Sequence, residues 1–191
     1  SADLLLTEEE KIEMAERLGV DVFVELVFSE KTKNLTAEDF LGFLSRMHPS
    51  SITVGNDFTF GKKASGTYKD LKTLESDGIE VNILPLLLVG KEKISSTLIK
   101  EEIRNGDIES ANRLLGYPFF YQGTVVHGKE NGRKIDFPTA NLVPEKDKIL
   151  LKEGVYKTTT EISGRIYKSM TNIGTHPTID ALKKDIIETN I

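Results

Sequence analysis

The sequence predicts two folds in series, an α/β region with parallel strands followed by a small all-β region. Three observations lead there. Up to Gly116, short apolar stretches alternate with capped, amphipathic helices, the grammar of right-handed crossover units on a parallel sheet. Beyond Pro118, the Val-, Tyr-, Thr- and Ile-rich runs Phe119 to His127, Phe137 to Leu142, Val155 to Ile162 and Arg165 to Ile173 follow one another without a long helix, as in an antiparallel barrel or sandwich. Between the two, Gly116 and Pro118 stop a helix and mark the boundary.

Taken in order, Thr7-Glu8-Glu9-Glu10 has the form of a capping box, and a helix follows to about Leu18 with Ile12, Ala15 and Leu18 on one stripe and Gly19 at its end. Asp21 to Phe28 is nearly continuous in Val, Phe and Leu and reads as a strand buried on both faces. Thr36 caps a second helix to about Arg46. Ser51 to Val54 is a second strand, Thr67 to Asp77 a third helix, and Ile79 to Leu84 a third strand. Leu98 to Asn105 and Ile108 to Leu115 are helices closed by Gly106 and Gly116. In the β region, Ser163-Gly164 is the turn between two strands. Asp180 is placed to cap a final amphipathic helix, Ala181 to Thr189, through Leu182, Ile186 and Ile187.

Composition narrows the function classes. With 191 residues and 38% hydrophobic content the chain has enough apolar material for one large or two small cores. A net charge of -5 argues against a broad nucleic-acid or anionic-membrane surface, while leaving room for a local basic pocket. There is no cysteine, so disulfides and thiolate metal sites are excluded, and the three histidines are scattered. The longest apolar run, Ile83 to Val89, contains a proline and falls short of a membrane span. No basic-then-apolar signal opens the chain, so a cytoplasmic protein is expected, without nucleic-acid or membrane partners and monomeric or weakly self-associating.

Three stretches carry chemistry. Gly123 to Asn141 runs from strand-like alternation into a glycine-bracketed basic loop and closes on Phe137-Pro138-Thr139-Ala140-Asn141. Glycines around Gly128 let backbone N–H groups approach phosphate oxygens, and Lys129, Arg133 and Lys134 supply counter-charge. The Thr139 hydroxyl and Asn141 carbonyl are hard oxygens of the kind Mg2+ takes. A charged hairpin followed by an ordinary strand is the alternative. Gly55 to Gly61 follows a strand, with Phe58 and Phe60 able to stack on a planar ring and Asp57 able to accept from it; core packing of both rings around a turn is the competing reading. Ser95-Ser96-Thr97 sets three hydroxyls at a helix start, a phosphate site or a helix cap.

Together these stretches resemble, in order and spacing, the bacterial bifunctional riboflavin kinase and FAD synthetase family. The resemblance is carried by Val54 to Gly61, Ile94 to Thr97, the helix between Gly106 and Gly116, Gly123 to Leu142, Gly154-Val155-Tyr156, and Asn172 to Thr178. It implies a Rossmann-like nucleotidylyltransferase domain over 1–116 and a riboflavin-kinase-type six-stranded antiparallel β-barrel with a terminal helix over 117–191. It implies that Asn56, Asp57 and Phe58 contact flavin and nucleotide, and that Ser95, Ser96 and Thr97 hold ATP phosphates. By the same resemblance, Gly128, Arg133 and Lys134 face ATP in the kinase, and Thr139 and Asn141 are its Mg2+ and nucleotide ligands. Riboflavin, ATP and FMN would be the small-molecule partners, with FMN and FAD as products.

The family pattern also implies a histidine-bearing loop before Thr7 and, after Thr178, further strands with the kinase's catalytic glutamate. These are expected outside the present residues, with a break near Ile179 to Asp180. Lys100 stands where the family often has arginine, which keeps the charge and loses the planar two-pronged grip on phosphate. Asp136 stands where a glycine is usual, and reduced kinase turnover is expected relative to Asp136→Gly. A non-catalytic flavin or nucleotide binder is the alternative function.

Overall fold

The computed structural model describes residues 3–126, 139–145, 147–176 and 184–191. They form two compact units, one of Ser1–Asp21 with Ser95–Ile191 and one of Val22–Ile94.

The second unit is built around β1 (Ser51–Gly55) and β4 (Glu80–Leu84), which pair in parallel from Ser51↔Glu80 to Gly55↔Leu84. Between them run β2 (Thr59–Phe60) and β3 (Gly66–Thr67), an antiparallel pair, and a helical turn, α4 (Tyr68–Leu71), that tightens into a 3-10 stretch ending at Gly78. Ahead of β1 lie α2 (Glu30–Lys33) and α3 (Ala37–Arg46), the latter opened by a reciprocal cap in which the Thr36 hydroxyl accepts from the Asp39 N–H and the Asp39 carboxylate from Thr36. β5 (Leu88–Val89) and β6 (Glu92–Lys93) close the unit as a hairpin. Its core is Phe60, Leu71, Leu74, Ile79 and Val81, with Phe40, Leu44, Ile52 and Phe58 packed around it. Gly66 is glycine for a steric reason: a Cβ there would lie 2.5 Å from the Phe60 ring.

Two expectations change here. Val22 to Phe28 is not a buried strand; it runs without regular structure, with Val22 74% and Phe28 81% exposed. An apolar run is buried only where other strands flank it. Among the described residues β1 and β4 pair only with each other, so the parallel sheet has two strands rather than the three expected.

The first unit joins α1 (Glu8–Arg17), α5 (Ser96–Asn105) and α6 (Ile108–Leu115) to an antiparallel sheet. The capping box of α1 forms as expected, with Glu10 N–H donating to Thr7 Oγ1 and Thr7 N–H to Glu10 Oε2. Gly106 and Gly116 end α5 and α6 at φ 85° and 80°, the left-handed conformation that glycine adopts without a Cβ penalty. The sheet consists of β7 (Val125–Val126), β8 (Thr139–Leu142), β9 (Gly154–Ile162), β10 (Arg165–His176) and β11 (Lys184–Asn190), in the order β7-β8-β11-β10-β9. Ser163 and Gly164, both at positive φ, make the tight turn that sets Arg165 opposite Ile162.

The terminal helix is the clearest correction. Lys184–Asn190 is β11, paired to β10 from Met170↔Asn190 to His176↔Lys184 and to β8 from Thr139↔Asn190 to Leu142↔Ile187. The spacing of Leu182 and Ile186 fits a helical stripe, but Ile186, Ile187 and Thr189 are β-branched and suit a pleated surface. Pairing on both sides satisfies backbone groups that β8 and β10 would otherwise leave open. The described sheet accordingly has five strands where a six-stranded barrel with a terminal helix was expected.

Cross-strand partners share a face. One face carries Tyr156, Thr158 and Thr160 of β9, Ser169, Thr171 and Ile173 of β10, and Ile187 and Thr189 of β11, with Ile173 and Ile187 buried. Its hydroxyls form a chain: Thr160 to Ser169 at 2.7 Å, Ser169 to Thr158 and Thr158 to Thr171 at 2.8 Å, and Thr171 to Thr189 at 2.9 Å. The opposite face carries Thr139, Asn141, Glu188 and Asn172.

Candidate functional site

In the second unit, β1 ends in a turn in which the Phe58 N–H donates to the Gly55 carbonyl at 3.0 Å and the Asn56 N–H to the Leu84 carbonyl at 2.9 Å, extending the β1–β4 ladder by one rung. The Asp57 carboxylate, exposed at the end of this turn, takes the Lys93 ammonium of β6 at 2.5 Å. That hydrogen bond and charge hold the Asp57 carboxyl below its ordinary value. Phe60 is a core residue, and half-buried Phe58 packs against the same core with its ring stacked on Phe60 at 5.8 Å between centroids, so the core-packing reading holds for both rings. Asn56 and Asp57 face solvent beyond the carboxyl end of a parallel strand, where open α/β sheets bind ligands.

In the first unit, Ser95 caps α5, its hydroxyl accepting from the Leu98 N–H at 3.2 Å, while Ser96 and Thr97 are exposed at the helix start. Ser96 and half-buried Lys100, one turn on, line an open groove of about 290 Å³ together with Leu4, Leu5, Leu6, Lys11 and Tyr117. The positive end of a helix dipole and two ammonium groups suit an anion. Burial pushes the Tyr117 phenol above its ordinary value, and the Glu10 charge adds to this.

Also in this unit, the outer face of β8 presents Thr139 and Asn141 two residues apart on one side of the sheet. The Thr139 Oγ1 donates to Glu188 Oε1 of β11 at 2.8 Å, and Glu188 lies directly opposite Asn141 on one side and Asn172 on the other. A carboxylate, an amide carbonyl and a hydroxyl abreast on neighbouring strands are hard oxygen donors of the type Mg2+ takes. Glu188 was absent from the sequence-derived set because its segment was read as helix; the β-branched run Ile186-Ile187-Glu188-Thr189 was the signal that could have found it. Gly128, Arg133 and Lys134, with Asp136 and the Ile179–Asp180 position, lie outside the described residues. Among the described residues, no cluster of three or more His, Asp or Glu is placed to hold a metal, and no helix is long and apolar enough to cross a membrane.

A groove with two lysines at a helix start and a row of hard oxygens on a sheet are the two arrangements these residues make. Residues 1–98 match the family profile described as FAD synthetase, and residues 115–191 that described as riboflavin kinase. The chain therefore belongs to the FAD synthetase family, with a following stretch that matches the riboflavin kinase profile. Curated relatives bear the name bifunctional riboflavin kinase/FMN adenylyltransferase. The one from Listeria monocytogenes is 36% identical over 87% of this chain and 53% of its own length. That from Bacillus subtilis is 36% identical over 92% and 56%, and that from Escherichia coli K12 33% identical over 93% and 58%. The chain thus spans little more than half of these relatives. A crystal structure described as a macrolide-efflux protein from Streptococcus pneumoniae superposes with a TM-score of 0.83 at 36% identity, covering 98% of this chain and 60% of that one.

Proposed function

We propose that the protein makes flavin cofactors in two ATP-dependent steps: phosphorylation of riboflavin to FMN, then adenylylation of FMN to FAD with release of pyrophosphate. The observation that carries this reading is the Thr139–Glu188 hydrogen bond beside Asn141, which sets a carboxylate among hard oxygen donors within the stretch matched by the riboflavin kinase profile.

In the kinase step Glu188 is the general base, in place of the glutamate expected outside the present residues. Its carboxylate, oriented by the Thr139 hydroxyl, takes the proton of the terminal ribityl hydroxyl as that oxygen attacks the γ-phosphorus of ATP and ADP leaves. Thr139 and Asn141 fit a bound Mg2+, which would neutralise charge on the transferring phosphoryl group. Gly128, Arg133 and Lys134 would line the ATP phosphates. In the synthetase step an FMN phosphate oxygen attacks the α-phosphorus of ATP. Ser96, Thr97 and Lys100 at the start of α5 hold phosphate oxygens, with Ser95 fixing the helix end, while Asn56, Asp57 and Phe58 face flavin and nucleotide.

On this reading, residues 1–116 belong to a Rossmann-like nucleotidylyltransferase domain and 117–191 to a six-stranded riboflavin kinase barrel. The protein works in the cytoplasm as a monomer or weak homo-oligomer. The test is a single-turnover incubation with riboflavin, ATP and Mg2+, chromatographed for FMN and FAD, with a parallel sample given FMN directly. FMN in the first and FAD in the second are expected; tight binding of flavin with neither product refutes the proposal.

A further inference from the structure

The side chain of Lys148 is the most enclosed cation among the described residues, 5% exposed, and it takes no part in the chemistry above. Its ammonium is bonded to the Glu10 carboxylate of α1, itself 2% exposed, and donates to the Leu5 carbonyl at 2.8 Å. The rings of Phe119, Phe120 and Tyr121 surround it at 4.8, 5.2 and 5.8 Å. Both attachments are braced by the backbone. Leu4 forms a parallel bridge to Lys148, with its N–H on the Asp147 carbonyl at 2.6 Å and its own carbonyl taking the Ile149 N–H at 2.9 Å. The Phe119 N–H is held by Asn112 of α6 at 2.7 Å, and the Tyr121 hydroxyl lies between the Ile149 carbonyl and the Leu151 N–H.

These contacts meet the groove from two sides. Leu4, Leu5 and Leu6 form one wall and Tyr117, two residues before the aromatic cage, another; Ser96 and Lys100 lie in the same lining. We infer that Lys148, from the kinase-matched stretch, is a positioning residue for the synthetase's phosphate groove, setting the spacing of the Leu4–Leu6 wall against α5. The inference rests on the reading that Ser96 and Lys100 hold phosphate. Replacing the ammonium frees Glu10 and the Leu5 carbonyl from their shared partner, and the wall then shifts without any change in the groove's own side chains.

The experiment measures pyrophosphate with Mg2+ as probe, on the whole chain. Calorimetric titration of Lys148→Met is expected to give a Kd raised about 10- to 100-fold, the scale that a displacement of about 1 Å costs a positioned group. Glu10→Gln, which removes the charge of the partner and keeps its shape, is expected to move Kd the same way. A purely structural role would lower the thermal midpoint and leave Kd unchanged, and that result overturns the inference. Should the variants fail to fold, hydrogen exchange on the unaltered chain decides. Because coupling is reciprocal, pyrophosphate must slow exchange of the Leu4 and Ile149 amides; binding without that protection overturns the inference too. If the unaltered chain does not bind pyrophosphate at all, the phosphate reading of the groove fails first and takes the inference with it.

Discussion

The sharpest prediction concerns Glu188. In Glu188→Gln the amide oxygen still accepts the Thr139 hydroxyl, whose partner in the native protein lies at 2.8 Å, so the register of β8 and β11 and the orientation of Thr139 are retained. What disappears is the ability to take a proton. A positioned general base contributes about 10²- to 10⁴-fold, or roughly 3 to 5 kcal/mol of transition-state stabilisation. Thr139→Val does the opposite, keeping the base and losing a charge-assisted hydrogen bond of about 1.5 to 3 kcal/mol that is partly replaced by water at a half-buried site. The assay is FMN formation from riboflavin and ATP over a range of pH. Glu188→Gln is expected to lose kcat by at least about 100-fold, while Thr139→Val, which keeps the base, is expected to lose less. A Glu188→Gln enzyme within about tenfold of the native rate would refute the assignment of the base.

Four further outcomes follow from the packing. Breaking the buried pair from one side, by Lys148→Met or Glu10→Leu, should cost about 3–5 kcal/mol in urea unfolding, and the double variant should cost clearly less than the sum; strict additivity would mean the two charges do not share a site. Asp3, Asp39, Asp57 and Asp70 all have carboxyls held below the usual 3.8 by hydrogen bonds, chiefly from Arg104, Thr36, Lys93 and Thr67 respectively. Unfolding therefore takes up protons at acid pH. Their stabilising contribution is whole above 3.8 and is lost as pH falls through the lower folded values, so the urea midpoint should decline below that point, and less in Asp39→Asn. Gly66→Ala drives a Cβ to 2.5 Å from the Phe60 ring and should destabilise by about 1–3 kcal/mol in thermal melts. Thr171→Val interrupts the hydroxyl chain at its most buried link and should cost about 1–3 kcal/mol, whereas a neutral result would mean Thr158 and Thr189 find other partners.

Local signals read true in the sequence where a few adjacent residues decide the structure. The Thr7–Glu10 box and the Thr36 cap depend on side-chain-to-backbone bonds three residues apart, and the glycine ends of α5 and α6 and the Ser163-Gly164 turn on the backbone conformation of one or two residues. The strand positions of Thr139 and Asn141 were legible for the same reason, as a β-prone stretch following a proline. What failed depended on distant partners. Val22 to Phe28 has the composition of a buried strand and no described neighbour to pair with. Lys184 to Asn190 has a plausible helical stripe, yet two waiting strand edges select the extended form. That single misreading hid Glu188, since a helix would have carried it away from Thr139. Lys148 looked like one more surface lysine, because nothing near it in sequence announces Glu10 or the aromatic cage.

The first unit is discontinuous: the chain leaves it at Asp21 and returns at Ser95. During synthesis, Asp3 to Glu10 emerge well before their partners Arg104, Asp147, Lys148 and Ile149, so α1 lacks these contacts until those residues have been made. Closing so long a loop is a cost in rate more than in stability, since each doubling of loop length adds only about 0.6 kcal/mol. Val22–Ile94, a continuous stretch with its core partners inside its own span, is free to form before Asp3 to Glu10 meet their partners.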